Sequence, residues 1–247
     1  MFQKDNLISI IAISKDDPQG LLVTLKSIKQ QACFYEVIVI AKGSSLDLDF
    51  NSLDIPYIKI FPQNSTGGIS SAFNQGIMES SGSWINFLNG GDSYSESNVL
   101  LNVASQIRLL DKDVNVITFK SIDAVSGITI PRARDFEKRR IELISHQASF
   151  FRRELFSLLG LYSPVIKIRM DFEWMLRAKN HLHVCWIDSV IVNFEGNGIS
   201  SNMVFQSCSE ELFILIQFRS QFSKILILLL GYFPFRVVRK FFRSIKS

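Results

Sequence analysis

Asp92 ends the stretch Trp84-Ile85-Asn86-Phe87-Leu88-Asn89-Gly90-Gly91-Asp92, where an apolar run stops at two glycines and a lone carboxylate. Such a run reads as a buried strand that delivers an acid to a tight turn at its carboxyl end. In an open α/β sheet that end is where ligands bind, and the glycines permit close approach to the backbone. Asp92 is therefore either an acid facing a ligand or a turn and cap residue ahead of the next helix. A second acidic pair, Asp171 and Glu173, opens a helical stretch with Phe172, Met175 and Leu176 on its apolar side. Two residues along a helix are turned about 200° apart, so only one of the two can face a site. His146, beside Ala148 and Phe150, is either a hydrogen-bonded structural residue or a group approaching an anion. His181 and His183 have no acidic third ligand nearby and read as surface residues. Arg132 to Arg140 carries five positive and two negative side chains, which form either a solvated face or a loop over an anionic ligand.

Alternating elements must hold these residues in place. Leu7 to Ile13 is a continuous apolar run suited to a strand buried on both faces. A polar loop follows, then a helix with Leu21, Leu22, Leu25 and Ile28 on one side. Glu36 to Ile40 is a second strand, ended by Lys42-Gly43-Ser44-Ser45, and these pieces make a βαβ unit. A short strand over Tyr57 to Phe61 leads through Thr66-Gly67-Gly68 into a helix from Ile69 to Ser80, before the central strand. Beyond Asp92 the pattern predicts a helix near Ser97 to Leu110 and a strand from Val114 to Lys120. Ser145 to Phe151 reads as a strand, Arg152 to Gly160 as a short helix, and Val184 to Phe194 as one or two strands. The fold class is α/β with a mixed sheet flanked by helices.

The 247 residues are 47% hydrophobic and 20% charged, enough for one large domain with a short appendage. The expected division is residues 1–205 as the catalytic domain, with halves at 1–120 and 121–205, and 206–247 as a helical, basic tail. Three widely spaced cysteines without a CxxC pair read as reduced thiols. The net charge is +4, yet Arg236, Arg239, Lys240, Arg243 and Lys246 crowd into the last twelve residues with no acid among them. The body is left slightly acidic, which argues against a nucleic-acid surface. The uncharged run Ile225 to Phe235 has eleven residues, short of the roughly 20 that span a bilayer. It suits a helix lying at an anionic membrane surface, or one that closes the core or an oligomer contact. Met1 to Asn6 is polar, and no secretory signal core is visible, so the body is expected in the cytoplasm, with the tail resting on a membrane surface.

In order and spacing the chain resembles inverting family 2 glycosyltransferases of the GT-A fold. The resemblance is carried by Ile8-Ser9-Ile10-Ile11, Gly20-Leu21, Glu36 to Ile40, Gly43-Ser44-Ser45, Gly68-Ile69, Asn74-Gln75-Gly76, Gly82 to Asp92, Ser145-His146-Gln147-Ala148, Asp171-Phe172-Glu173 and Gly198-Ile199-Ser200. It implies sugar transfer from a nucleotide-diphosphate sugar, UDP-linked by default, to a hydroxyl of a glycan or lipid-linked acceptor in bacterial capsule, exopolysaccharide or lipopolysaccharide synthesis. It also implies a Mn or Mg ion held by Asp92 and a base at Asp171, with Glu173 in reserve. Donor contacts fall on Ser14, Lys15, Gly43, Ser44, Gly68, Asn74, Asn89, Gly91, Arg140 and His146. The sequence departs from the family where acids are common: Asn89 or Gly90 replaces the first acid of the metal motif, and Ala41 and Lys42 stand where aspartates usually meet the base. Those departures motivate a competing reading as a non-catalytic tether of glycan enzymes. A nucleotidyltransferase would show a glycine-rich phosphate loop after the first strand, and Ser14 to Gly20 has one glycine.

Overall fold

The structure, a computed structural model, describes residues 8–64, 67–194 and 203–218. Strands β1 (Ile8–Lys15), β2 (Tyr35–Lys42), β3 (Ile58–Pro62) and β4 (Trp84–Asn89) alternate with helices α1 (Pro18–Lys29) and α2 (Ile69–Glu79). After β5 (Ser93–Tyr94) come α3 (Val99–Leu109), β6 (Val116–Asp123), β7 (Thr129–Ile130), α4 (Ala133–Glu137), β8 (Ser149–Arg152), α5 (Glu154–Leu159), α6 (Met170–Ala178), β9 (Val184–Phe194) and α7 (Val204–Phe218). They form one mixed sheet in the order β3-β2-β1-β4-β8-β6-β9-β5, with β7 paired to β6. The first four strands run parallel, and β8 is antiparallel to both β4 and β6.

Strand β1 explains the layering. Ile8, Ile10 and Ala12 face Leu21, Leu25 and Ile28 of α1 and Val99, Leu100 and Val103 of α3. Ile11 and Ile13 face Ala72, Phe73 and Ile77 of α2, a layer that also takes in Met170, Phe172 and Met175 of α6 and Ile214 and Leu215 of α7. A strand covered on both faces has no polar face to show, hence its unbroken apolar run.

The amino ends of the parallel strands are tied by one buried carboxylate. Glu36 accepts hydrogen bonds from the Ser9 hydroxyl at 2.6 Å, the Gly82 N–H at 2.9 Å, the Ser81 N–H, and the Ser81 hydroxyl at 3.0 Å, with Lys59 at 3.4 Å. Arg153 braces the same corner by donating to the Gly82 and Ile77 carbonyls at 2.7 and 2.9 Å. Burial pushes the Glu36 pKa up, but the donors outweigh it and the net shift is downward.

Two expectations change, and the division at residue 120 can be set against the observed sheet. Ser145 to Ala148 is a turn rather than strand, because the Asn86 amide donates to the Gln147 and Ser149 carbonyls at 2.8 and 2.9 Å and draws the chain inward before β8 starts. Part of the basic stretch, Ala133–Glu137, is a helical turn. The boundary expected at residue 120 falls inside β6, within the continuous sheet. The run 225–235, the basic tail and Gly198 to Ser200 lie outside the described residues.

Replacing Glu36 with Ala leaves several buried donors unpaired and is expected to cost about 3 kcal/mol in urea unfolding at pH 7. Since folding lowers this pKa, its contribution is present above the ordinary glutamate pKa and fades as pH falls below it. The gap between the wild type and Glu36→Ala should therefore narrow in acid.

Candidate active site

Strand β1 lies between β2 and β4, so the connections leaving it diverge and open a crevice at the carboxyl ends. A cleft of about 800 Å³ occupies this place. Ser14, Lys15, Lys42, Asn89 and Asp92 line it from the parallel strands; Ser145, His146, Gln147, Arg169 and Asp171 line it from the second half of the chain.

The turn after β4 is fixed by backbone contacts. Gly90 N–H donates to the Ile13 carbonyl at 2.8 Å, and Gly91 N–H to the Gly20 carbonyl at 2.9 Å and the Thr24 hydroxyl at 3.1 Å. Gly91 has φ +95°, a left-handed conformation that favours glycine. A Cβ on Gly90 would stand 3.1 Å from Ser14 Oγ and 3.4 Å from the Leu21 backbone nitrogen. Asp92, 4% exposed, accepts from the Asn89 N–H at 2.8 Å and its amide at 3.1 Å. It thus closes the turn and also lines the cleft. Among the described residues no group of three or more His, Cys, Asp and Glu side chains assembles into a metal site. One carboxylate beside an amide fits a hard divalent cation whose remaining positions are filled by phosphate oxygens and water.

Across the cleft, Asp171 sits in the first turn of α6 with its side chain 29% exposed. Its Oδ1 accepts from the Phe172 N–H at 2.8 Å, and its Oδ2 lies 3.5 Å from His146 Nδ1. Burial raises the Asp171 pKa, but the hydrogen bond and charge of His146, the Arg169 guanidinium and the Phe172 N–H outweigh it, leaving a pKa of about 2. The carboxylate is ionised at any working pH. The His146 ring is wedged against Phe73 at 5.7 Å and Phe87 at 6.4 Å, and its buried Nε2 has no hydrogen-bond partner among the described residues. Glu173 turns the other way, where Arg177 grips it at 3.0 and 3.2 Å.

The other residues expected to meet the donor divide into two groups. Ser14, Lys15, Gly68, Asn89 and His146 line the cleft. Ser14 also spans to Ser45 at 2.8 Å, which holds the loop after β1 against the loop after β2. Gly43, Ser44, Asn74, Gly91 and Arg140 are outside the lining. Gly43 (φ +61°) and Ser44 pack around Asp16, whose carboxylate accepts from the Ser44 N–H at 3.3 Å. The Asn74 amide is spent on the Tyr162 backbone, donating at 2.8 Å and accepting at 2.9 Å. Arg140 lies 3.5 Å from Asp135. Sequence reasoning missed Arg169 and Gln147 as cleft residues; Arg169 stands two positions before Asp171, and only that proximity marked it.

The glycosyl transferase family 2 profile matches residues 9–179. An uncharacterized glycosyltransferase of Mycobacterium tuberculosis is 31% identical over 205 residues, 79% of this chain and 77% of the relative. A PGL/p-HBAD biosynthesis glycosyltransferase of Mycobacterium bovis is 27% identical over 218 residues, 80% of each chain. Among solved structures, S. aureus TarS residues 1–349 in complex with UDP-GlcNAc superposes with a TM-score of 0.68 at 14% identity, covering 93% of this chain and 72% of that one. The mannosyltransferase PcManGT from Pyrobaculum calidifontis, in complex with GDP-Man and Mn2+, gives 0.68 at 12% identity, covering 97% and 75%. At such identities the likeness concerns the fold, a GT-A arrangement.

A fall from 3.8 to about 2 at Asp171 corresponds to about 2 kcal/mol of stability above pH 4, at about 1.4 kcal/mol per unit. Asp171→Asn should lose about that much in denaturant titrations at pH 7. The gap should close as pH drops from about 4 to 2; a gap independent of pH would refute the ionic pairing.

Proposed function

The chain belongs to glycosyl transferase family 2, and from this we propose that it is an inverting, divalent-cation-assisted glycosyltransferase using a nucleotide-diphosphate sugar, with a UDP-sugar as the default donor. The observation that carries the reading is the arrangement of Asp92 with Asn89 on one wall of the cleft and an ionised, partly exposed Asp171 on the other. Inversion requires a hydroxyl to attack the anomeric carbon from the face opposite the leaving diphosphate, with a base on the attacking side. Asp171 takes that role. Its low proton affinity suits late proton transfer, because the hydroxyl becomes strongly acidic only as its oxygen bonds to carbon. Each carboxylate oxygen keeps a lone pair beyond the contacts to His146 and Phe172. Lys15 and Lys42 line the cleft, and their positive charge would offset that of the leaving diphosphate. A divalent cation, when bound, neutralises the departing diphosphate; Asp92 and the Asn89 amide would hold it.

The acceptor in this reading is a lipid-linked glycan of bacterial surface polysaccharide synthesis, met at the cytoplasmic face of the inner membrane. Two observations support this. The outer face of α7 exposes Phe205, Phe213 and Ile216, an apolar face of the kind that rests on a bilayer, and the sequence beyond it carries the five clustered cations. No helix among the described residues is long and apolar enough to cross a membrane.

Thermal melting with a panel of nucleotide-sugars, with and without Mn2+ or Mg2+, tests the donor without an acceptor. A sugar nucleotide at about 100 times its Kd adds about 2.7 kcal/mol to the unfolding free energy. The stabilisation should require metal and vanish in Asp92→Ala. Asp171→Asn should bind the donor normally while kcat falls about 10²- to 10⁴-fold. Full activity in Asp171→Asn would remove the base assignment, and binding without turnover in the wild type would favour a non-catalytic tether.

A further inference from the structure

Helix α7 lies beyond the segment matched by the family, residues 9–179, yet it reaches into the wall that carries Asp171. The Glu210 carboxylate accepts from three successive backbone N–H groups, Lys167 at 3.2 Å, Ile168 at 2.9 Å and Arg169 at 3.0 Å. Gln206, one turn earlier on α7, steadies it by donating at 2.9 Å. The next residue, Glu211, is 4% exposed and holds Arg169 Nη2 at 3.2 Å. The same guanidinium lies 5.2 Å above the Phe172 ring. Helix α6 begins immediately afterwards at Met170, and its N-cap, Arg169, makes no side-chain capping bond of its own.

We infer that Glu210 and Glu211 are positioning residues for catalysis, setting where α6 begins and therefore where the Asp171 carboxylate meets the attacking hydroxyl. A helix start leaves N–H groups without internal partners, so an outside acceptor largely decides the path of the chain into it. Here that acceptor comes from α7, about 40 residues downstream. A carboxylate near a helix N-terminus is also favoured by the helix dipole. The contact points are the three residues just before the helix, and Asp171 is its second residue, so a shift at Arg169 passes to the base within a single turn. Neither glutamate lines the cleft; both act through Arg169 and the backbone ahead of α6.

The inference rests on Asp171 being the base. Full-length Glu210→Gln, Glu210→Ala, Glu210→Asp and Glu211→Gln variants are first melted to establish folding, then assayed for nucleoside diphosphate release from whichever nucleotide-sugar stabilises the wild type. Positioning predicts that Glu210→Gln and Glu210→Ala lose about 10- to 100-fold in kcat, keep the donor KM within about twofold, and are partly rescued in Glu210→Asp. Unchanged kcat in folded variants overturns the inference, as does a loss that appears equally in donor KM. A second measurement needs no turnover. The chain has three histidines, so the ring-proton NMR signals of His146 can be followed. They should move in the Glu210 and Glu211 variants, in the sense seen for Asp171→Asn, while those of His181 and His183 stay. Static His146 signals also overturn it. A wild type and Asp171→Asn of equal activity would instead refute the assignment of the base, leaving the NMR result as the measure of the contact.

Discussion

A buried carboxylate holds the amino end of this sheet together. Glu36 gathers donors from β1, from the segment joining α2 to β4, and from β3. A charge this deep is tolerated only when its hydrogen-bonding capacity is filled, so the segments around it must arrive in one arrangement. That arrangement fixes where β4 enters the sheet and, five residues later, where the turn at Asn89 emerges. The carboxyl end of the same strands is built on the opposite principle. There His146 Nε2 and Arg169 Nε are buried without hydrogen-bond partners among the described residues, and Asp171 is an ionised acid in a partly open cleft. The fold spends its donors at one end and leaves polar capacity for a ligand at the other.

The cleft has two walls from distant parts of the chain, and side-chain amides join them. Asn86 reaches from β4 to the Gln147 and Ser149 carbonyls, and its oxygen accepts from the Tyr94 hydroxyl at 2.8 Å. Asn74 on α2 pairs with both polar groups of the Tyr162 backbone. These bonds give the loop carrying His146 and the lead-in to α6 a fixed relation to the parallel strands. The aromatic layer beneath, with Phe87 edge-on to both Phe73 and Tyr162 and those two rings tilted against each other, fills the space between. The same contacts show what the Asn74 amide holds in the structure: the Tyr162 backbone.

Local pattern made much of this legible. The apolar runs of β1, β2 and β4, the helical faces of α1 and α2, and the glycine turn before Asp92 are all short-range signals, and the strands and helices lie close to where those signals put them. Helical geometry required Asp171 and Glu173 to point apart; Asp171 lines the cleft, and Glu173 is held by Arg177, four residues on, a grip the sequence alone did not specify. What stayed hidden was set by partners far away in the chain. Ser145 to Phe151 reads locally as a strand, and contacts from Asn86, some 60 residues earlier, and Ser121 help hold its first four residues in a turn. Arg169 carries no motif, and the helix that orients it is separated from it by β9.

The alternating layout of β1 also acts as a spacer. Ser9 meets the Glu36 carboxylate and Ser14 meets the cleft; five residues of strand, at about 3.3 Å each, put about 17 Å between them. At that distance two unit charges interact by only about 1 kcal/mol with an effective dielectric of 20. The anchoring charge and the working charges are thus electrically insulated from one another. The lysines at 15 and 42, which line the cleft, illustrate the freedom this gives: the electrostatics of the cleft can change without disturbing the charge that holds the amino end of the sheet.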